Sequence, residues 1–203
     1  STQIDLLKEW LIANGLEVET VVEPTDGDVG KLIRKILTYP NATEDNIQKT
    51  LGLLFAADRL VLMEKLEKFE SENKVIISDR SFYSSLVYQK PQEWIYEINK
   101  YAKIPDLVLL MDLDVSTSVA RCGKEDTFEN EEFLTVVKDS YQKLAKSNDN
   151  FKIINANNGV ITYIGDIRED GSVISSENGN SILMADLYDP VPKNPKKPPS
   201  NPP

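Results

Sequence analysis

Lys74–Ser84 reads KVIISDRSFYS. Its first five residues form a compact apolar run rich in β-branched side chains, short enough for a parallel strand buried on both faces. Asp79, Arg80 and Ser81 follow directly, at the carboxyl end of that strand, where open α/β sheets gather their ligands. A second such run, Leu107–Leu113 (LVLLMDL), leads into the acidic pair Asp112 and Asp114. Between and around these runs the apolar spacing becomes helical. Ile4, Leu7, Trp10 and Leu11 mark a helix over 2–14 that Gly15 stops, and Leu32, Ile33, Ile36 and Leu37 mark another over 29–37. A long helix is predicted over 44–72, capped by Asn41 or Thr43, with further helices over 82–88, 92–102, 116–121 and 130–146. Residues 16–22 and 151–154 read as strands. Strands apolar on both faces, alternating with helices, predict an α/β fold: a mostly parallel sheet with helices on both sides.

The bulk composition suits that fold. A chain of 203 residues, 40% hydrophobic and 28% charged, can bury roughly 70% of its unfolded surface. Cys122 is the one cysteine and there is no histidine, which excludes an internal disulfide, His-based zinc sites and Ser-His-Asp triads. A net charge of −10 argues against a nucleic-acid partner. No apolar stretch approaches the roughly 20 residues needed to cross a bilayer, and Ser-Thr-Gln-Ile-Asp is no signal peptide. A cytoplasmic protein without a membrane partner is expected. Because the chain opens on Ser rather than Met, a truncated or processed product is expected too.

The pattern changes after Asn158. Residues 159–167, 172–176 and 181–187 read as short strands separated by Asp-Gly and Asn-Gly turns, and 190–203 holds seven prolines in fourteen residues, an extended, disordered composition. The expected organisation is an α/β domain over 1–158, a β-rich extension over 159–189 and a Pro-rich tail over 190–203.

Four constellations could carry chemistry. At Ser78–Ser84 an aspartate could hold a magnesium-bound water and an arginine could clamp a phosphate; a surface ion pair at a strand end is the ordinary alternative. Phe55 and Arg59 are four residues apart on one face of the long helix, so a ring and a guanidinium could stack a base and bond its carbonyl. The ordinary alternative is a core Phe beside a surface Arg. Glu23-Pro24-Thr25-Asp26 could line a cleft or be only a turn. Ser1-Thr2 opens a helix whose N-terminus could hold an anion, or is simply a cap.

In this order, STQIDLLKEWL, EPTDGDVGKLIRKIL, LLFAADRL, VIISDRSFYSSLVYQ, PDLVLLMDLDV and the FENEEFL region resemble the thymidylate kinase family, most closely its archaeal members. The resemblance spans residues 1–157. It implies a P-loop NTPase-type fold with strand order 2-3-1-4-5 and transfer of a phosphoryl group from ATP to dTMP, giving dTDP and ADP, with magnesium as cofactor. It implies that Phe55 stacks on thymine, Arg59 reaches its carbonyl, and Arg80 binds the 5′-phosphate. Asp79 would support magnesium through water, Ser84 would lie near the base, Tyr88 would crowd the sugar 2′ position, and Glu23 and Pro24 would line the monophosphate site. Arg121 and Lys124 would begin a lid over 121–130 and, with Arg80, offset charge on the transferring oxygens. Asn155 and Asn157 would lie beside adenine. Ser1 and Thr2 would contact the phosphates of ATP, with the Ser1 hydroxyl on magnesium. A homodimer through the long helix is also implied.

The sequence departs from the family in several places. Of the strand and GxxxxGK[ST] loop that open the family fold, only the final Ser is present, as Ser1. The expectation for this chain alone is a sheet whose central first strand is missing, poor ATP binding and impaired transfer. Ser181–Leu187 (SILMADL) is a candidate to fill the vacant slot. Thr25 stands where many relatives carry a second phosphate-binding arginine, for which Arg34 could substitute. Ser81 replaces the usual tyrosine, bringing the motif closer to deoxynucleoside kinases. Besides a thymidylate kinase, the sequence therefore admits a kinase for another deoxynucleotide or deoxynucleoside, or a non-catalytic pseudokinase or interaction module.

Overall fold

The computed structural model describes residues 2–121, 131–157 and 182–187, excepting the side chains of 2, 119–121 and 182–187. Along the chain run α1 (Thr2–Ala13), β1 (Val18–Val22), α2 (Asp28–Leu37), α3 (Asp45–Ser71), β2 (Val75–Asp79), α4 (Phe82–Tyr88) and α5 (Gln92–Ile98). They are followed by β3 (Leu107–Asp112), α6 (Val115–Arg121), α7 (Glu131–Ser147), β4 (Phe151–Asn155) and β5 (Ile182–Leu187). The five strands form one sheet in the order β1-β2-β5-β3-β4, and every pairing is parallel.

Alternation along the strands explains why both faces are covered. Val75 and Ile77 of β2 point to one side with Leu107, Leu109 and Met111 of β3, and there meet Ile4, Leu7 and Leu11 of α1. The residues between them point the other way. Ile76 packs with Val21, Leu62, Leu66 and Phe69 under α3, while Val108 and Leu110 pack with Leu86, Ile95, Val137 and Tyr141 under α4, α5 and α7. The α/β expectation holds.

The slot between β2 and β3 is taken by β5, from the segment that the sequence offers as its candidate, with Ile77 opposite Leu183 on one side and Leu109 opposite Ala185 on the other. Each backbone edge of β2 and β3 that an empty slot would orphan, at roughly 1–3 kcal/mol per buried group, is thereby paired. The expected strands at 159–167 and 172–176, the Pro-rich tail and most of the lid lie outside the described residues.

Two helix ends differ from expectation. Neither Asn41 nor Thr43 caps α3: Glu44 is its N-cap residue, without a side-chain cap bond, and Asn41 instead accepts the Glu44 N–H on its carbonyl, at 3.0 Å. The helix predicted to reach 102 stops at Ile98. The Asn99 side-chain amide donates to the Ile95 carbonyl at 2.8 Å, satisfying a last-turn acceptor from outside the helix.

Candidate functional site

The exits of β1 and β2 lie side by side, since the Glu23 N–H donates to the Asp79 carbonyl at 3.0 Å. The loop after Glu23 is then fixed from two directions. Asp58, buried on α3, accepts the Thr25 N–H and the Thr25 hydroxyl, both at 2.7 Å. Arg34 of α2 donates to the carbonyls of Thr25 at 2.6 Å and Pro24 at 2.5 Å. Gly30 lets α2 approach so closely: a Cβ there would stand 1.8 Å from the Thr25 carbonyl oxygen. Arg34, a possible replacement for a missing phosphate-binding arginine, thus spends its guanidinium on shaping this loop.

Arg59 sits at the centre of the site, 4% exposed. Its Nε donates to Oε2 of Glu23 at 2.7 Å, and Nη2 lies 2.6 Å from the same oxygen as an ion-pair contact. Nη1 donates to Oδ1 of Asn99, and Nη2 approaches the Ser85 hydroxyl at 3.4 Å. One buried guanidinium therefore ties together β1, α3, α4 and the end of α5. A surface arginine, the ordinary reading of this helix face, is ruled out by its burial.

Arg80 follows β2 with φ +72°, the left-handed region that costs a non-glycine residue about 1–2 kcal/mol. The Ser78 hydroxyl donates to its carbonyl at 2.8 Å, and its guanidinium carbon lies 5.8 Å from the centre of the Tyr88 ring. Ser81, buried, accepts the Tyr83 N–H at 3.2 Å as the N-cap of α4. Its hydroxyl thus has a helix-capping role independent of any substrate preference. Ser84 bonds the Tyr141 hydroxyl at 3.0 Å, joining α4 to α7.

Glu23 and Arg59 thus touch, Arg80 meets Tyr88, and Asp79 joins Glu23 through the backbone. Pro24 is buried beside them. Phe55, half-buried one turn before Arg59, packs against the cluster of Ile33, Ile36 and Leu51 between α2 and α3. Asn155 and Asn157 stand apart at the exit of β4, where Asn157 Oδ1 accepts the Asp114 N–H at 2.8 Å. Ser1, Lys124 and the side chains of Thr2 and Arg121 lie outside the described residues. A cleft of about 550 Å³ opens along α1, β1 and α3, lined in part by Asp5, Thr25, Asp26, Lys65 and Asp79. Its lining takes in neither Phe55, Arg59 nor Arg80.

Four structural residues escaped the sequence reading: Asp58, Ser85, Asn99 and Lys138, whose ammonium lies 3.0 Å from Asp112 and 4.0 Å from Asp114. Asp58 left a trace, because it interrupts the apolar stripe Leu51, Leu62, Leu66 and Phe69 of α3 with a charge, and a charge on a buried face requires partners. For Asn99 and Lys138 nothing local in the sequence signals a role.

A family model described as thymidylate kinase matches residues 1–164. A protein of Methanobrevibacter smithii named "Probable thymidylate kinase" is 65% identical over 169 residues, 83% of this chain and 86% of its own length. Proteins of the same name from Methanosphaera stadtmanae and Methanothermobacter thermautotrophicus are 48% and 46% identical, over 77% and 83% of this chain and 83% and 86% of their own lengths. Given these matches and the parallel α/β sheet already described, this chain belongs to the thymidylate kinase family.

Proposed function

We propose that the chain phosphorylates dTMP with ATP as donor, giving dTDP and ADP, and that the Glu23–Arg59–Asn99 assembly reads the base. The observation that carries this reading is the buried guanidinium of Arg59, held by three partners one turn from a half-buried aromatic ring, Phe55. Burying a charge is costly unless it is paired and used. A ring to stack on and a fixed N–H donor beside it suit a flat heterocycle bearing a carbonyl.

Arg80 would hold the 5′-phosphate through its planar fork, and Tyr88, in contact with it, would pack against the sugar. Asp79 suits a magnesium ion that arrives with ATP. It is a single half-buried carboxylate on an open cleft, and no cluster of three or more metal-binding side chains occurs among the described residues, as fits an ion bound chiefly by phosphates and water. Bound there, magnesium would neutralise phosphate charge. The remaining work for the chain's own groups is positioning: Arg80 orients the acceptor phosphate, Arg59 and Phe55 fix the base, and Arg121 and Lys124 would bring positive charge to the transferring oxygens. Asn155 and Asn157 would border adenine, and Ser1 and Thr2 would meet the phosphates of ATP.

Calorimetric titration of the chain with dTMP, thymidine and dCMP tests the reading without needing phosphoryl transfer. The expected order is dTMP tightest, with thymidine weakened by the missing phosphate and dCMP by the missing carbonyl. Thymidine binding as tightly as dTMP would move the assignment to a nucleoside kinase, and no binding of any of the three would end it. No helix among the described residues is long and apolar enough to cross a membrane.

A further inference from the structure

We infer that Asn99 is a positioning residue, setting the angle at which Arg59 presents its remaining N–H to the base; this rests on the proposed dTMP site. The hydrogen bond from Nε and the ion-pair contact of Nη2 meet Glu23 at a single oxygen, Oε2. Two contacts at one point form a pivot, not a clamp: the guanidinium plane can still swing about that oxygen. The opposite corner of the fork, Nη1, is the one that Asn99 holds.

Asn99 suits the task because it is buried and held by hydrogen bonds at both backbone and side chain. It is 5% exposed. Its backbone N–H donates to the Tyr96 carbonyl at 3.1 Å and its carbonyl accepts the Ala102 N–H at 2.8 Å. Its Nδ2 donates to the Ile95 carbonyl at 2.8 Å. That last bond also settles the amide orientation, since a carbonyl on one side and a guanidinium on the other leave one arrangement that satisfies both. A guanidinium has five N–H groups. Glu23 accepts the one on Nε and lies against Nη2, Ser85 also faces Nη2, and Asn99 takes one of the pair on Nη1. In a planar group, fixing one Nη1 N–H fixes the direction of the other. A donor so aimed accepts a keto pyrimidine and rejects an amino pyrimidine, whose donor would face it.

The amide makes two bonds, and two substitutions separate them. Asn99→Leu removes both the acceptor toward Arg59 and the donor toward Ile95. Asn99→Asp keeps an acceptor toward Arg59 in either protonation state. Calorimetry with dTMP and dCMP on the full chain should show Asn99→Leu weakening dTMP about tenfold, the value of roughly one such hydrogen bond, and the dTMP:dCMP affinity ratio falling by a similar factor. Asn99→Asp should hold that ratio within about threefold. Asn99→Ala answers the same question should leucine unfold the chain. An unchanged ratio in the leucine or alanine variant would overturn the inference, as would an equal loss in the aspartate variant, which would make Asn99 a helix stop and nothing more. If the unsubstituted chain itself fails to prefer dTMP, the proposed site falls and the role of Asn99 with it.

Discussion

Arg59 and Glu23 form a buried ion pair in which two guanidinium nitrogens approach the same carboxylate oxygen, with 4% and 6% of the side chains exposed. Such a pair stabilises less than its geometry suggests, because desolvating both charges offsets most of their attraction. Breaking it is another matter. Glu23→Leu leaves a buried cation with only neutral partners and should destabilise the fold by about 3–5 kcal/mol. The double variant Glu23→Leu, Arg59→Met should be closer to the unsubstituted chain than either single change. Urea unfolding of the four proteins measures this. Additive losses would show that the two residues do not act as a pair.

Arg80 occupies the left-handed region at φ +72°, a conformation glycine adopts without penalty and alanine does not. Both substitutions remove the guanidinium, so their difference isolates the backbone. Arg80→Gly should be about 1 kcal/mol more stable than Arg80→Ala, while both lose dTMP affinity to the same extent. Equal stabilities would mean that the strand end relaxes and that the arginine is held there at no cost.

α3 leaves Leu53, Leu60 and Val61 exposed, at 54%, 48% and 67%. These positions are seven and eight residues apart, on one helix face. We expect two copies of the chain to meet along it. Leu60→Glu should then shift sedimentation from dimer to monomer without altering the melt of the monomeric fold, since residue 60 already faces water. A single monomeric species for the unsubstituted chain would exclude this arrangement.

Periodicity revealed most of the fold because each strand and helix announces itself locally. KVIIS and LVLLM are runs that only a two-sided sheet can bury, and α1 ends where Gly15 turns the chain at φ +85°. What periodicity could not give is partnership across long separations. Arg59 meets Glu23 36 residues away, and Asn99 40 residues away. The sequence marks Arg59 as a ligand contact only through its place beside Phe55, and marks Asn99 not at all. Ser81 shows how a local role can stay hidden as well: its identity brings the motif closer to deoxynucleoside kinases, and the structure adds that its hydroxyl accepts a backbone N–H at the start of α4.

β5 gives the test that bears on the whole sheet. Ile182–Leu187 pairs with β2 over 182–185 and with β3 over 183–187, so its central residues, 183–185, have a strand on either side. Proline removes a donor and cannot sit in a central strand without orphaning the carbonyl opposite. Ala185→Pro, at a position facing Asp79 on one side and Leu109 on the other, should cost at least the roughly 1–3 kcal/mol of an unsatisfied buried carbonyl. The loss should spread, because β1-β2 and β3-β4 have only β5 between them. Hydrogen exchange should therefore show faster opening of Ile76, Ile77, Val108 and Leu109 amides together in the variant. Unchanged protection at those four positions, with a melt equal to that of the parent chain, would mean that the halves of the sheet do not depend on this strand.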